Sequence, residues 1–348
     1  MSEPLGYSVY LTTFEAQRAM LERSAGTGAP VFLSLHISEE FTPDYCANAE
    51  RVCLWLAEAG FRTIADVSVK TVSQFGEPDL VRLAKRFRIW ALRIDYGFTE
   101  AEVAALAREM PIAVNASTTS PEAGRRLAEA GGLVMAMHNF YPRPETGLDR
   151  AFLLESTRAL QEAGLRVLAF LPGDQSLRGP VHAGLPTLEE HRGQLPSACY
   201  ADLVLRFGMD GVFVGDPGLS AREEQRIRRF CEEGVLSVPA LLDPAYEGLW
   251  GRVFTRRVDS PSWLVRFTES REYSCFGEIV EPRRCVPRSR GCLTVDNAGY
   301  GRYSGEVQLL LRDFPPDPRV NVIGQVPENA LLLADCVPRG GAFTLVEP

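Results

Sequence analysis

Short apolar runs recur along the first two thirds of the chain: LGYSVYL (5–11), VFLSLH (31–36), TIADVS (63–68), IWALRID (89–95), IAVNAS (112–117), LVMAMHN (133–139), RVLAFLP (166–172) and GVFVGD (211–216). They are nearly continuous rather than alternating, the pattern of parallel strands covered on both faces. Helical punctuation lies between them. Within 44–59, Ala49, Val52, Cys53 and Leu56 fall at i, i+3, i+4 and i+7, the one-sided stripe of a helix packed on a sheet. Thr12-x-x-Glu15, Thr99-x-x-Glu102, Thr187-x-x-Glu190 and Ser220-x-x-Glu223 have the capping-box form, in which a hydroxyl and a carboxylate satisfy orphan helix N–H groups reciprocally. Ser120-Pro121 reads as an N-cap followed by proline in the first turn, and Gly60, Gly164 and Gly234 as helix ends in left-handed backbone.

Eight strands, each followed by a helix, predict an α/β protein: a closed (β/α)8 TIM barrel over residues 1–240. An open, doubly wound sheet is the alternative, and either architecture puts the active site at the strand C-termini. Beyond residue 240 the pattern changes. GRVFTRRVDS, WLVRFTES, GCLTVDN, GEVQLLLRDF, VNVIGQV and ALLLADCV read as short strands between proline and glycine clusters, predicting a small, helix-free, barrel-like all-β domain over 241–348.

Composition narrows the function. At 348 residues, with 45% hydrophobic and 24% charged content, the chain can fill a large domain and a smaller one. It has no apolar run of membrane-spanning length and no export signal at its start, so a cytoplasmic location is expected. A formal charge of −8 gives no footprint for nucleic acid. Eight cysteines without a C-x-x-C pair read as thiols in a reducing compartment, with Cys46 and Cys53 as buried small hydrophobes; Cys275, Cys285 and Cys292 match no familiar zinc spacing.

The stretch MAMHNFYPRPETGL (135–148) shows where chemistry enters, because its apolar run ends abruptly in His138-Asn139. Other strands end alike: His36, Asp66 with Ser68, Arg93 with Asp95, Asn115 with Ser117, and Asp216. A ring of polar groups at one rim is the mark of an active site, since buried polar groups cost free energy unless partnered. Asp66 and Asp95 form the best chemical pair. Strands about 4.8 Å apart bring carboxyls on consecutive strands within about 5 to 9 Å, the range used in glycoside hydrolysis. The bland alternative is a structural salt bridge from Arg93 to one of them.

Several rivals fall away. Lys70 and Lys85 are the only lysines, and neither lies inside a strand where a Schiff base would form. Four histidines without an H-x-H or H-E-x-x-H disfavour a zinc hydrolase, leaving a mixed metal site from His36, Asp66, Asp95, His138 and Asp216 as the alternative; no P-loop points to a nucleotide. The segment after strand 7, LPGDQSLRGPVHAGLPTLEEHR, offers Arg178 or Arg192 as bidentate anion donors, although Glu189, His191 and Arg192 also suit an ordinary first helical turn. In the second domain, DNAGYGRYSGEVQL offers Tyr300, Arg302 and Tyr303 to a sugar or an anion, or is a plain hairpin.

Taken together, LGYSVY, ADVS, LRIDYGF, VNAS, HNFYPRPETGL, GLPTLEEHR, VGD and NAGYGRYSGEVQL, in order over nearly the whole chain, resemble the MupG family, whose characterised members are 6-phospho-N-acetylmuramidases. The resemblance implies a TIM barrel followed by a cyclophilin-like β-domain. It further implies intracellular hydrolysis of the disaccharide between 6-phospho-N-acetylmuramic acid and N-acetylglucosamine in cell-wall recycling. After strand 1 this chain reads YLTTF where many relatives have a proline and an acidic residue, a change that bears on substrate range.

The resulting expectation is a glycosidase without cofactor or metal, acting on a phosphorylated amino sugar through Asp66 and Asp95 as the carboxylate pair. Asn115, His138, Asn139 and Tyr141 are assigned to sugar hydroxyl and acetamido groups. Arg143, Arg178, Arg192 and Arg302 are assigned to the phosphate or lactyl carboxylate, with Glu189 and Asp216 completing the binding set. A metal-dependent sugar-phosphate isomerase or epimerase, or a non-catalytic sugar-phosphate-binding protein, is the competing class.

Overall fold

The computed structural model describes residues 4–35, 44–270 and 279–348; His36 and Cys275 lie outside them. Its first eight strands are β1 (Gly6–Val9), β2 (Pro30–Ser34), β3 (Arg62–Val67), β4 (Ala91–Ile94), β5 (Ile112–Asn115), β6 (Val134–Met137), β7 (Arg166–Leu171) and β8 (Gly211–Val214). All pair in parallel with their sequence neighbours. The sheet closes where Gly6 of β1 faces Phe213 of β8 and Tyr7 faces Val214, so the architecture is a barrel and not an open doubly wound sheet.

The helices that alternate with these strands along the chain are α1 (Phe14–Glu22), α2 (Tyr45–Glu58), α3 (Thr71–Phe75), α4 (Leu80–Arg86), α5 (Glu100–Glu109), α6 (Pro121–Glu129), α7 (Arg150–Glu162), α8 (Pro196–Leu205) and α9 (Ala221–Glu233). Thr99 and Glu102 form a complete capping box on α5, Ser120 Oγ accepts the Ala123 N–H on α6, and Ser220 Oγ accepts the Glu223 N–H on α9. Two expected caps are corrected. Helix α1 begins after Thr13 rather than Thr12, without a side-chain cap. Thr187 starts no helix: its hydroxyl accepts from Phe170 N and donates to the Asn139 carbonyl, a bridge between two strand ends. Gly60, Gly164 and Gly234 have φ of 83°, 94° and 70°, as a left-handed helix end requires. On α2 the stripe Ala49, Val52, Cys53 and Leu56 is buried, but Cys46 is exposed, and no disulfide joins the described cysteines.

Side chains alternate across a strand with period two, so one parity of each strand fills the barrel. Phe32, Ile64, Met135, Met137, Phe170 and Phe213 form part of that interior cluster. Gly6 belongs to the same layer, where a Cβ would stand 2.4 Å from the Phe213 ring. Continued by two residues toward the C-termini, the inward parity brings Ser34, Asp66, Arg93 and Asn115 to the mouth. Outward positions such as Val31, Ala65 and Ala136 are buried under the helices instead.

Contacts divide the chain into two compact units, Met1–Pro196 with Leu203–Glu224, and Ser197–Asp202 with Gln225–Pro348. In the second, β9 (Val235–Pro239), β10 (Leu241–Leu242), β11 (Val253–Thr255), β12 (Leu264–Arg266), β13 (Cys292–Asp296), β14 (Val307–Leu310), β15 (Val320–Gln325) and β16 (Ala342–Val346) make two separate sheets. One has the order β10-β15-β13-β14-β12 and is antiparallel; the other is β11-β16-β9, with β16 and β9 parallel. The expected strand ALLLADCV is a helix, Leu331–Cys336: leucine and alanine are strong helix formers, and the run lacks the β-branched residues of a strand. Strands β9 and β16 were absent from the sequence pattern.

Candidate active site

A cavity of about 880 Å³ opens at the C-terminal end of the barrel, within the roughly 300–1,000 Å³ typical of small-molecule sites. Tyr10, Phe32, Ser34, Asp66, Phe140 and Arg178 are among the residues lining it.

Asp66 sits on the inward parity of β3, 6% exposed. Arg93, opposite Asp66 in the β3–β4 register, donates from Nη1 to Asp66 Oδ1 at 2.8 Å, and the same nitrogen stands 3.7 Å from Asp95 Oδ1. Its Nη2 donates to Asn139 Oδ1. One buried guanidinium thus gathers residues from the ends of three strands. The bland reading, in which Arg93 pairs with one carboxylate, is too narrow: it holds both. Ser34 Oγ approaches Asp66 Oδ2 at 3.5 Å. Asp95 keeps more exposure, 25% of its side chain against 9% for Asp66.

Arg178 reaches the cavity from the loop after β7. Its guanidinium lies 4.4 Å from the Tyr10 ring centre, and Tyr10 donates its hydroxyl to the Gly215 carbonyl, which fixes the platform. The loop itself hangs on Asp216, whose fully buried carboxylate accepts the N–H groups of Gly173, Arg178 and Leu185 at 2.9–3.0 Å. Burial pushes that carboxyl above its usual range against the opposing pull of the three donors. Asp216 is therefore an anchor for the cavity wall.

Glu189 and Arg192 are also spoken for. Arg192 donates to both Glu189 oxygens and to the carbonyls of Ala183, Gly184 and Tyr141. Glu189 in turn accepts Glu145 N and Gly147 N, which holds Glu145 at φ 70°. Arg192 above all, then these backbone donors, brings the Glu189 carboxyl down to about 2. The pair ties the 143–147 loop to the 183–192 segment.

His138 points the other way from Asn139. It is fully buried, with Nε2 3.3 Å from Thr157 Oγ1 on α7 and Nδ1 without a partner, so it lies between strand and helix; burial lowers it to about 4. Asn115 spends Oδ1 on the Ser117 N–H, as a turn former. Tyr141 is half-buried and Arg143 exposed on the following loop. Arg302 is in the second unit, donating to the Tyr303 hydroxyl at 2.8 Å.

Of the mixed metal set, His36 lies outside the described residues, and the other four do not converge. Asp66 and Asp95 share a cation, His138 faces a helix and Asp216 is consumed by amides; among the described residues no three His, Cys, Asp or Glu side chains converge as metal ligands. Tyr10, Thr12 and Thr13, from the YLTTF stretch that bears on substrate range, line the cavity, as do Gln17, Ser34 and His182, which the sequence did not assign to the site. Strand parity was the signal available for Tyr10 and Ser34.

A closed parallel barrel with acids, a stacked arginine and an open cavity at its C-terminal rim is a frame that serves many enzymes, hydrolases of sugars among them. Residues 5–229 match the family described as 6-phospho-N-acetylmuramidase, N-terminal, and residues 241–346 its C-terminal counterpart. The chain belongs to the 6-phospho-N-acetylmuramidase (MupG) family, and is a glycoside hydrolase of cell-wall recycling. Among solved structures it is similar to a conserved Enterococcus faecalis protein with an unknown function, at 30% identity, covering 99% of this chain and 96% of that one, with a TM-score of 0.85. An uncharacterized B. cereus protein is 24% identical over the whole of both chains, with a TM-score of 0.80. No curated protein matches the chain. No described helix is long and apolar enough to cross a membrane.

Proposed function

We propose that the barrel cavity cleaves the bond between 6-phospho-N-acetylmuramic acid and N-acetylglucosamine, with Asp66 and Asp95 as the reacting carboxylates. The observation that carries this reading is their shared hold on Arg93 Nη1, at 2.8 and 3.7 Å. Two carboxylates on one nitrogen lie within the range of separations that paired carboxylates use in glycoside hydrolysis, with retention or with inversion. Asp66, buried and ion-paired, is placed to act as the anion that attacks or stabilises the anomeric carbon. Asp95, the more exposed, is assigned to protonate the departing N-acetylglucosamine oxygen, then to take a proton from the attacking water.

Arg178 is assigned to the phosphate or lactyl carboxylate. Its guanidinium is stacked on Tyr10 and lines the cavity without a protein acceptor among the described residues. Asn139, oriented by Arg93, and Tyr141 are assigned to the sugar. No cofactor or metal is part of this reading.

The remaining assignments rest on the family and the fold. The break between the two family matches at 229 and 241 supports a barrel domain over 1–240 and a second domain over 241–348, with β9 the strand that departs from that line. The five-stranded antiparallel sheet supports a cyclophilin-like type for the second. A phosphorylated substrate made inside the cell supports a cytoplasmic location, and the negative net charge a partner other than nucleic acid.

Incubation with the phosphorylated disaccharide should release N-acetylglucosamine, and Asp66→Asn or Asp95→Asn should each cut turnover by about 10²–10⁴-fold in folded protein. No release by folded wild-type protein would count against the reading; full turnover in either variant would remove that residue from the pair.

A further inference from the structure

The five-stranded sheet of the second unit has two unlike faces. Val265, Leu293, Val295, Leu309 and Ile323 cover one, fully buried. The other parity is mixed: Leu264, Cys292, Leu310 and Val322 make a small apolar cluster with Phe314, and beside it Arg266, Gln308 and Thr294 form a polar patch in adjoining register, Arg266 facing Gln308 and Gln308 facing Thr294, with Asp296 next on the same face. An antiparallel sheet normally turns such a face to water. Here Thr294 is 0% and Gln308 8% exposed, because flanking segments fold over them. Arg288 and Phe314 pair through their backbones at one side, and Tyr300, its hydroxyl donated to Asp317, stands on the 3-10 turn after β13. A cavity of about 170 Å³ remains between these groups.

A polar face closed over for stability alone would be filled or fully paired, since an enclosed polar group without a partner is costly. This one keeps capacity facing the space. Thr294 donates to Gln308 Oε1 and Gln308 Nε2 donates to Asp296 Oδ2, a chain that ends on a carboxylate whose Oδ1 has no partner among the described residues. Arg288 donates Nε to the Pro315 carbonyl and lies 5.4 Å from the Phe314 ring centre, its terminal nitrogens without an acceptor among the described residues. Burial pushes Asp296 up to about 7, so it can donate as well as accept near neutral pH.

We infer that this cavity, lined by none of the residues that line the barrel cavity, is a second binding site, for a single neutral sugar ring. A carboxyl, an amide and a guanidinium beside the apolar surface of Leu264, Leu310 and Val320 are the hydrogen-bonding groups and apolar contacts that vicinal hydroxyls and a pyranose face require; the Tyr300 and Phe314 rings, over which Arg319 and Arg288 lie at 4.4 and 5.4 Å, close the space at its edge. The charge balance selects against an anion. Arg266 is neutralised by Glu306 at 2.8 Å, and Arg288 faces the same space as the Asp296 carboxyl, so a phosphate would have to sit against a carboxyl that must first take up a proton.

The test titrates the full-length protein with N-acetylglucosamine, methyl glucoside and inorganic phosphate while amide resonances are followed by NMR. Saturable shifts centred on residues 292–296 and 307–310 are expected with the neutral sugars and not with phosphate. Asp296→Ala and Gln308→Ala should each weaken that response by about tenfold or more, with Thr294→Val as a milder third variant should either fail to fold. Arg178→Ala, which alters only the barrel site, should leave it in place. Absence of shifts in these strands, an equal response to phosphate, or unchanged affinity in the folded variants would overturn the inference.

Discussion

The guanidinium of Arg178 lies 4.4 Å from the centre of the Tyr10 ring, a cation held on an aromatic face whose hydroxyl is itself tied to the Gly215 carbonyl. Such stacking orients the planar fork while leaving its edges to an anion. Arg178→Ala should raise KM for the phosphorylated disaccharide by about tenfold to a hundredfold while changing KM for the dephosphorylated disaccharide little. Steady-state kinetics on the two substrates checks this; equal effects on both would reassign Arg178.

Arg93 joins Asp66, Asp95 and Asn139 in the barrel mouth. Replacing it with methionine keeps much of the volume but strands a buried carboxylate. The expected cost is about 3–5 kcal/mol of stability, together with loss of turnover, read by urea unfolding and the hydrolysis assay. A stable Arg93→Met protein of unchanged activity would show that the acids need no organiser.

His138 gives the protein a pH-dependent stability. Its folded value, lowered by burial to about 4, lies below the ordinary 6.5, so the unfolded chain binds the extra proton between the two. The contribution is therefore fully present above pH 6.5 and lost as pH falls toward 4, about 3 kcal/mol in all. His138→Leu should flatten the dependence of unfolding free energy on pH in that window. An unaltered slope would mean that other groups govern it.

Gly6 has no room for a side chain, because a Cβ would meet the Phe213 ring at 2.4 Å inside a packed aromatic layer where Phe213 also lies 5.7 Å from Phe170. Gly6→Ala should destabilise the barrel by about 1–3 kcal/mol, measured as a lowered denaturant midpoint.

The barrel was legible because its signals are local: eight apolar runs and glycines at helix ends each report on their own few residues. Site placement depended on parity, which a continuous apolar run conceals. In HNF both His138 and Asn139 end the strand, yet one faces α7 and the other Arg93. Likewise nothing in TLEEHR distinguishes a solvated helical turn from the carboxylate–guanidinium tie that Glu189 and Arg192 form across two loops. The second domain was read less well for the same reason: Leu331–Cys336 and β16 are separated by contacts distant in sequence, and propensity was the only guide.

Asp216 fastens the loop after β7 through three amides at once, among them that of Arg178. Laboratory evolution toward other sugars would therefore find few tolerated variants at that acid, since any change there releases three tethers together. Selected diversity should instead accumulate at positions such as Ser176, Leu177 and Val181, whose side chains border the cavity while the path of the main chain stays fixed.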